Sequence, residues 1–111
     1  MICKLKIVDF FIVLFLFFDF IFASNIPFLY SRVNDYAEIL NGETKIKLEK
    51  ELENFEKETS NQIAILTIPS LEGEDIESYS NKVFNSWKLG QKGKDNGVLL
   101  LISVRDRKLR I

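Results

Sequence analysis

The chain has 111 residues, of which 47% are hydrophobic and 28% are charged, a composition that predicts an ordinary globular protein with room for one domain. Fifteen basic residues against sixteen acidic ones leave a formal charge of -1, so no basic excess points to a nucleic-acid partner. The sequence contains no histidine, which excludes imidazole metal ligands, Ser/His/Asp triads and histidine general bases within this chain.

Residues 1–24 predict an export signal rather than a part of the fold. Lys4 and Lys6 form a positive region, and the nine residues 10–18 are all apolar. That length suits a secretory signal and falls short of the roughly 20 residues that a membrane-spanning helix needs. Cleavage is expected near Ser24, with an uncleaved anchor as the alternative. The sequence therefore predicts an exported protein that is periplasmic or associated with a membrane.

A lead-in and a first helix follow the signal. Residues 25–31 predict an extended lead-in, and residues 33–37 predict a short turn or a one-turn helix. Residues 43–58 are rich in lysine and glutamate, and their apolar side chains recur at helical spacing. These side chains form one stripe: Leu48, Leu52 and Phe55. The pattern predicts an amphipathic helix with Asn41 or Thr44 as its N-cap.

Two apolar segments around a second helix predict a pair of parallel strands. Gln62–Ile68 is rich in β-branched residues, and residues 98–104 form an apolar run that predicts a strand covered on both faces. Between them, apolar residues recur at helical spacing: Ile76, Tyr79, Val83, Phe84 and Trp87. Residues 105–107 then form a turn into residues 108–111. We therefore predict an α/β fold, a partial α/β/α sandwich with two parallel strands, a crossover helix and a C-terminal antiparallel strand.

Five short segments of the chain carry a family resemblance. They are Val33-Asn34-Asp35-Tyr36-Ala37, Ile68-Pro69-Ser70-Leu71, Trp87-Lys88-Leu89-Gly90, Asn96-Gly97-Val98-Leu99-Leu100 and Arg107-Lys108-Leu109-Arg110-Ile111. In this order and spacing they resemble the TPM domain family, which includes thylakoid-lumen and photosystem-repair proteins and bacterial exported or membrane-anchored proteins. The resemblance covers residues 32–111. It implies the N-terminal two-thirds of a TPM domain, because family members continue into a Gly-x-Gly-x-Glu segment and further helices.

The resemblance implies two candidate functions. The first is an exported, membrane-associated binding or assembly module whose partners are membrane or envelope proteins. The second is a metal-dependent domain with acid-phosphatase-like activity, because some relatives bind calcium and weak acid-phosphatase activity has been ascribed to the plant branch. The implied cofactor of the second function is Ca²⁺. The first function is favoured, since the sequence contains neither a nucleophile elbow nor a phosphate-binding loop.

Asp95 and Asn96 form the first candidate metal site. They lie in a loop with Gly90, Gly93 and Gly97, a composition that predicts positive φ angles and exposed polar backbone. Their side chains offer oxygen ligands to a hard cation such as Ca²⁺, which takes six to eight oxygens. The alternative is that both side chains only form the turn that precedes the strand.

Asp35 and Asp106 form the second candidate pair. The predicted topology places both at the carboxyl edge of the sheet, where open α/β sheets bind ligands. The alternative is helix capping for Asp35 and a hairpin turn for Asp106. Eight strand residues at ~3.3 Å each separate Asp106 from Asp95 by roughly 26 Å, so these two are not expected to share a metal ion.

Overall fold

The computed structural model describes residues 26–90 and 94–111, and the predicted export signal lies outside them. The elements follow in this order: strand β1 (Val33–Asp35), helix α1 (Gly42–Thr59), strand β2 (Gln62–Ile68), helix α2 (Ile76–Trp87), strand β3 (Gly97–Ser103) and strand β4 (Lys108–Arg110). Within the described ranges, neither helix combines the length and the hydropathy that crossing a bilayer requires.

The strands form one four-stranded sheet in the order β1-β2-β3-β4. Strands β1, β2 and β3 are parallel, and β4 returns antiparallel to β3. The predicted α/β class, the parallel pair β2 and β3, and the antiparallel return strand are therefore confirmed.

The prediction of a turn or one-turn helix at residues 33–37 is wrong for residues 33–35, whereas residues 36–37 do form a turn, closed by a 3.2 Å hydrogen bond from the Glu38 N–H to the Asp35 carbonyl. Val33–Asp35 is instead strand β1, which pairs with residues 65–67 of β2 and adds a third parallel strand. Three residues are too few to show a strand period, and this strand forms because β2 and polar side chains from other elements satisfy its backbone.

Helix α1 has the predicted N-cap and lies on one face of the sheet. The Asn41 side chain accepts a hydrogen bond of 2.7 Å from the Thr44 backbone N–H. The helix contacts β1 and β2, and none of its residues is fully buried. Phe55, on the predicted apolar stripe, remains 39% exposed. Helix α1 is therefore a partly covering layer rather than the centre of the core.

The core lies between the opposite face of the sheet and helix α2. Leu66 of β2 and Leu101 of β3 are register neighbours, and both are fully buried with Val83 of α2. Burying each of these side chains stabilises the fold by roughly 1.5–3 kcal/mol. The Trp87 indole N–H donates a 2.8 Å hydrogen bond to the Pro27 carbonyl, which fastens the lead-in to α2. Helices on both faces confirm the sandwich arrangement.

Candidate functional site

Asp35 lies at the carboxyl edge of the sheet, and its side chain is fully buried. Parallel pairing sets Asp35 opposite Thr67, and the Thr67 hydroxyl donates a 2.6 Å hydrogen bond to Asp35 Oδ1. The same oxygen accepts from the Ile39 backbone N–H at 3.2 Å. Asp35 Oδ2 accepts from the Leu40 N–H at 2.9 Å and lies 3.6 Å from Lys45 Nζ. Both carboxylate oxygens are therefore held by donors of the protein itself.

These donors keep Asp35 ionised in spite of its burial. Burial alone raises the pKa of Asp35, because a charged carboxylate loses hydration inside the protein. Hydrogen bonds from Thr67, Leu40 and Ile39, together with the Lys45 charge, outweigh that effect, and the pKa lies below its ordinary value. The buried charge therefore ties the end of β1 to β2 and to the first turn of α1.

Asp106 lies in the turn between β3 and β4, at the same edge as Asp35, as the topology predicts. Its Oδ2 accepts hydrogen bonds of 2.7 Å from the Leu71 N–H and from the Ser103 hydroxyl. These two bonds, the Leu71 bond first, lower the pKa of Asp106. The carboxylate thereby joins the loop after β2 to the end of β3.

The structure does not bring Asp35 and Asp106 into one cluster. Asp35 is in register with Thr67 and, one strand further, with Ile102, so two strand spacings of about 4.8 Å separate the backbones of Asp35 and Ile102. Asp106 lies beyond Ile102, in the turn that follows β3. Each carboxylate has its own donors, and no described residue donates to both.

Asp95 and Asn96 lie at the amino edge of the sheet. Asp95 is exposed, with φ at 47° in the left-handed region. The Asn96 side-chain amide donates to the Ser60 carbonyl, and the Asn96 backbone carbonyl accepts a 2.9 Å bond from the Gln62 N–H. Asn96 therefore joins the loop before β3 to the chain that enters β2. In the part of the chain that the structure describes, no group of three acidic or thiol side chains is placed to hold a metal ion.

We expect the chain to bind Ca²⁺ only weakly, with a Kd of about 1 mM or above, because Asp95 supplies one exposed carboxylate where calcium needs six to eight oxygens. Calorimetric titration of the chain and of its Asp95→Ala variant measures this. Micromolar binding that disappears in Asp95→Ala would contradict the expectation and would establish the loop as a calcium site.

Glu49 of helix α1 is a site residue that the sequence patterns did not single out. Its carboxylate accepts hydrogen bonds from the backbone N–H groups of Arg32 at 3.1 Å and Val33 at 3.0 Å, and from the Ser31 hydroxyl. The Arg32 guanidinium adds an ion pair at 3.3 Å. Burial raises the pKa of Glu49, but these bonds outweigh it and leave the pKa lowered. The helical spacing of Lys45, Glu49 and Glu56 is the signal that could have identified it.

A groove of about 590 Å³ lies beside Glu49, between α1 and the lead-in. Val33 and Ile46 line it with Lys45 and Glu49, whose charged groups already pair with Asp35 and Arg32. The groove therefore presents a mainly apolar surface.

The chain is an α/β sandwich domain, because it has a mixed sheet with a helix on each face. Side-chain hydrogen bonds join its segments at the carboxyl and the amino ends of the strands. The family model of the TPM domain matches residues 33–111, and the chain belongs to this family. The resemblance seen in the sequence is confirmed.

One similar solved structure is the N-terminal domain of a protein from P. gingivalis, determined in solution by NMR. It shares 24% sequence identity with this chain at a TM-score of 0.66, and the match covers 71% of this chain and 50% of that chain. The chain thus spans half the length of that structure, and the likeness concerns the fold alone. A comparison with curated proteins found no match.

Proposed function

We propose that the chain is an exported binding or assembly module of the TPM domain family, acting on a membrane or envelope protein. The proposal rests on an apolar surface that no described helix covers. Helix α1 contacts β1 and β2 but not β3, so the α1 side of β3 and β4 is open. We call this surface the exposed half-face; it consists of Val98, Leu100, Ile102 and Leu109.

Strand register places these four residues on one side of the sheet. Val98 and Leu100 pair with Ile63 and Ile65 on the face opposite the core, and Leu109 pairs directly with Ile102. Val98 is 39% exposed and Leu109 is 58% exposed, and Leu100 and Ile102 between them are half-buried. A contiguous apolar surface of this type is typical of sites that contact another protein, because isolated domains rarely leave such patches in water.

The rival function, a metal-assisted acid phosphatase, requires a carboxylate that is free to bind a metal or to attack phosphorus. The oxygens of Asp35 accept hydrogen bonds from Thr67, Ile39 and Leu40, and Asp106 accepts from Leu71 and Ser103. Asp35 could not take a new ligand without giving up bonds that hold the sheet edge, and Oδ2 of Asp106 is held in the same way. This cost favours the binding module.

Site-directed photo-crosslinking in cells tests the proposal. A photoreactive residue at Val98, in the chain expressed with its own signal, is expected to crosslink to a membrane or envelope protein. The product should fractionate with the envelope and should be reduced about tenfold by Leu109→Glu, which puts a charge into the same surface. The matched control is the same photoreactive residue at Glu51, an exposed position on α1. Equal crosslinking from positions 51 and 98, or retention of the chain in the cytoplasm, would overturn the proposal.

A further inference from the structure

The two outer strands of the sheet, β1 and β4, differ in how the backbone groups on their outward side are satisfied. At β1, the Val33 N–H donates to Glu49 Oε2 and the Asp35 N–H donates to the Tyr30 hydroxyl, each at 3.0 Å. Side chains thus occupy the edge of β1. At β4, by contrast, no hydrogen bond between described residues reaches the side that faces away from β3. An open edge of this type is a template for another strand.

The hairpin geometry shows which groups of β4 are open. The turn closes with the Arg107 N–H donating a 3.2 Å bond to the Val104 carbonyl. In an antiparallel ladder, bonded and non-bonded residue pairs alternate. The Val104 N–H donates to the Ile68 carbonyl of β2, so the alternate residues Ser103 and Leu101 turn their backbone groups to β4 and pair with Lys108 and Arg110. The backbone N–H and C=O groups of Leu109 therefore point away from β3. These groups are the donors and acceptors that an added strand needs.

The charge of this edge favours one kind of occupant. Four of the six residues 105–110 are basic. The single acidic residue, Asp106, is turned inward to the Leu71 N–H and the Ser103 hydroxyl. Glu77 of α2 pairs with Arg110 at 3.2 Å, which leaves the other three basic side chains to set the potential of the edge. Acidic side chains on an added strand would be stabilised here, and basic ones would be repelled.

The other side of β4 is apolar. Leu109 is 58% exposed and belongs to the exposed half-face. An extended segment in which acidic and apolar residues alternate would place its charges beside Lys108 and Arg110 and its apolar side chains beside Leu109. A second copy of this chain fits poorly, because pairing β4 with β4 sets lysine and arginine against their own kind.

We infer that the outer edge of β4 binds an extended acidic and apolar segment of another protein by strand addition. This inference rests on the proposed function, since it names the chemistry of the partner and the place where it binds. The open backbone groups favour a peptide over an anionic lipid surface, because lipid head groups would use the basic side chains and leave the backbone unpaired.

Binding of short synthetic peptides to the exported chain tests the inference. The probe is a labelled peptide of alternating glutamate and valine, measured by fluorescence anisotropy at low and at high salt. Three comparisons accompany it: the same peptide with an N-methylated backbone, a peptide of alternating lysine and valine, and vesicles that contain phosphatidylglycerol.

The acidic peptide is expected to bind about tenfold more tightly than the basic one. N-methylation should weaken the binding of the acidic peptide by a similar factor, because its backbone hydrogen bonds to β4 are lost. Higher salt should also weaken the binding of the acidic peptide, because it screens the attraction between charges. The double variant Lys108→Glu, Arg110→Glu should invert the preference, with an unchanged circular dichroism spectrum as evidence of folding. Hydrogen exchange at the Leu109 amide should slow when the acidic peptide is present.

Four results would overturn the inference. Equal binding of the N-methylated peptide would show that charge acts without strand pairing. Binding to the vesicles with no binding to the peptide would assign the basic edge to lipid, and self-association that protects the Leu109 amide would assign it to a second copy. A Val98 crosslink in cells without peptide binding would leave the proposed function standing and remove only the strand-addition site.

Discussion

Replacing Gly97 with alanine is expected to lower the free energy of unfolding by about 3 kcal/mol. A Cβ at this position would lie 2.5 Å from the Leu89 carbonyl carbon and 2.6 Å from its oxygen. Both are backbone atoms, so no side chain can rotate away, and the start of β3 would have to separate from the end of the α2 segment. Gly90 closes the same contact, with φ at 92° and its own Cβ position 2.7 Å from Gly97 N.

For a domain of this size, that loss corresponds to a fall in Tm of roughly 10–20 °C, measured by circular dichroism on heating. Gly42→Ala is the matched control. Gly42 is the first residue of α1, and a Cβ there would meet nothing within 4 Å. Its Tm should stay within a few degrees of the parent or rise slightly, because alanine favours the helix. If the Tm of Gly97→Ala equalled that of Gly42→Ala, the close approach of the Gly97 and Leu89 backbones would be contradicted.

The elements that the sequence predicts correctly are those that bury long apolar patterns. Strand β2 has the predicted bounds Gln62–Ile68, and the apolar stripe that ends at Trp87 packs onto the core. A seven-residue apolar run or a repeated helical spacing leaves few other structures that could bury it. Strand β1 lacks such a pattern, because two of its three residues are the polar Asn34 and Asp35.

The partners of the candidate site residues were not predictable by the same reasoning. Topology was sufficient to place Asp35 and Asp106 at one edge of the sheet. Their donors, Thr67 and Leu71, lie 32 and 35 residues away along the chain, and no local period records such a pairing. For Gly97, a glycine-rich loop suggests backbone freedom, whereas the structure requires the absence of a side chain. That requirement depends on a tertiary contact with Leu89.

Replacing Asp35 with asparagine is expected to destabilise the domain by about 2–3 kcal/mol at pH 7, although the two side chains have nearly the same shape. The carboxylate accepts bonds from Thr67, Ile39 and Leu40. An amide would turn its NH₂ group toward at least one of these donors, leaving a buried donor unsatisfied, and it would remove the charge that faces Lys45. Urea denaturation of the variant and the parent at pH 7 measures the difference.

The control for this substitution is Asp75→Asn. Asp75 caps helix α2 by accepting a 3.0 Å bond from the Ser78 N–H, in an exposed position. Asparagine is an equally good N-cap, so the free energy of unfolding should change by less than ~0.5 kcal/mol. A comparable loss in both variants would show that the effect comes from removing any carboxylate, not from the buried position of Asp35.

The destabilisation by Asp35→Asn should also depend on pH. The pKa of Asp35 in the folded protein lies below the value of about 3.9 that an unfolded chain gives it. A lowered folded-state pKa contributes stability that is fully present above the unfolded pKa and is lost as the pH falls through the folded pKa. The gap between parent and variant should therefore be largest from about pH 5 upward and should narrow below about pH 4. Glu49 and Asp106, whose pKa values are also lowered, make both proteins sensitive to acid and cancel in the difference. A gap that stays constant from pH 7 to pH 3 would show that the shape of the side chain, and not its ionisation, holds the end of β1.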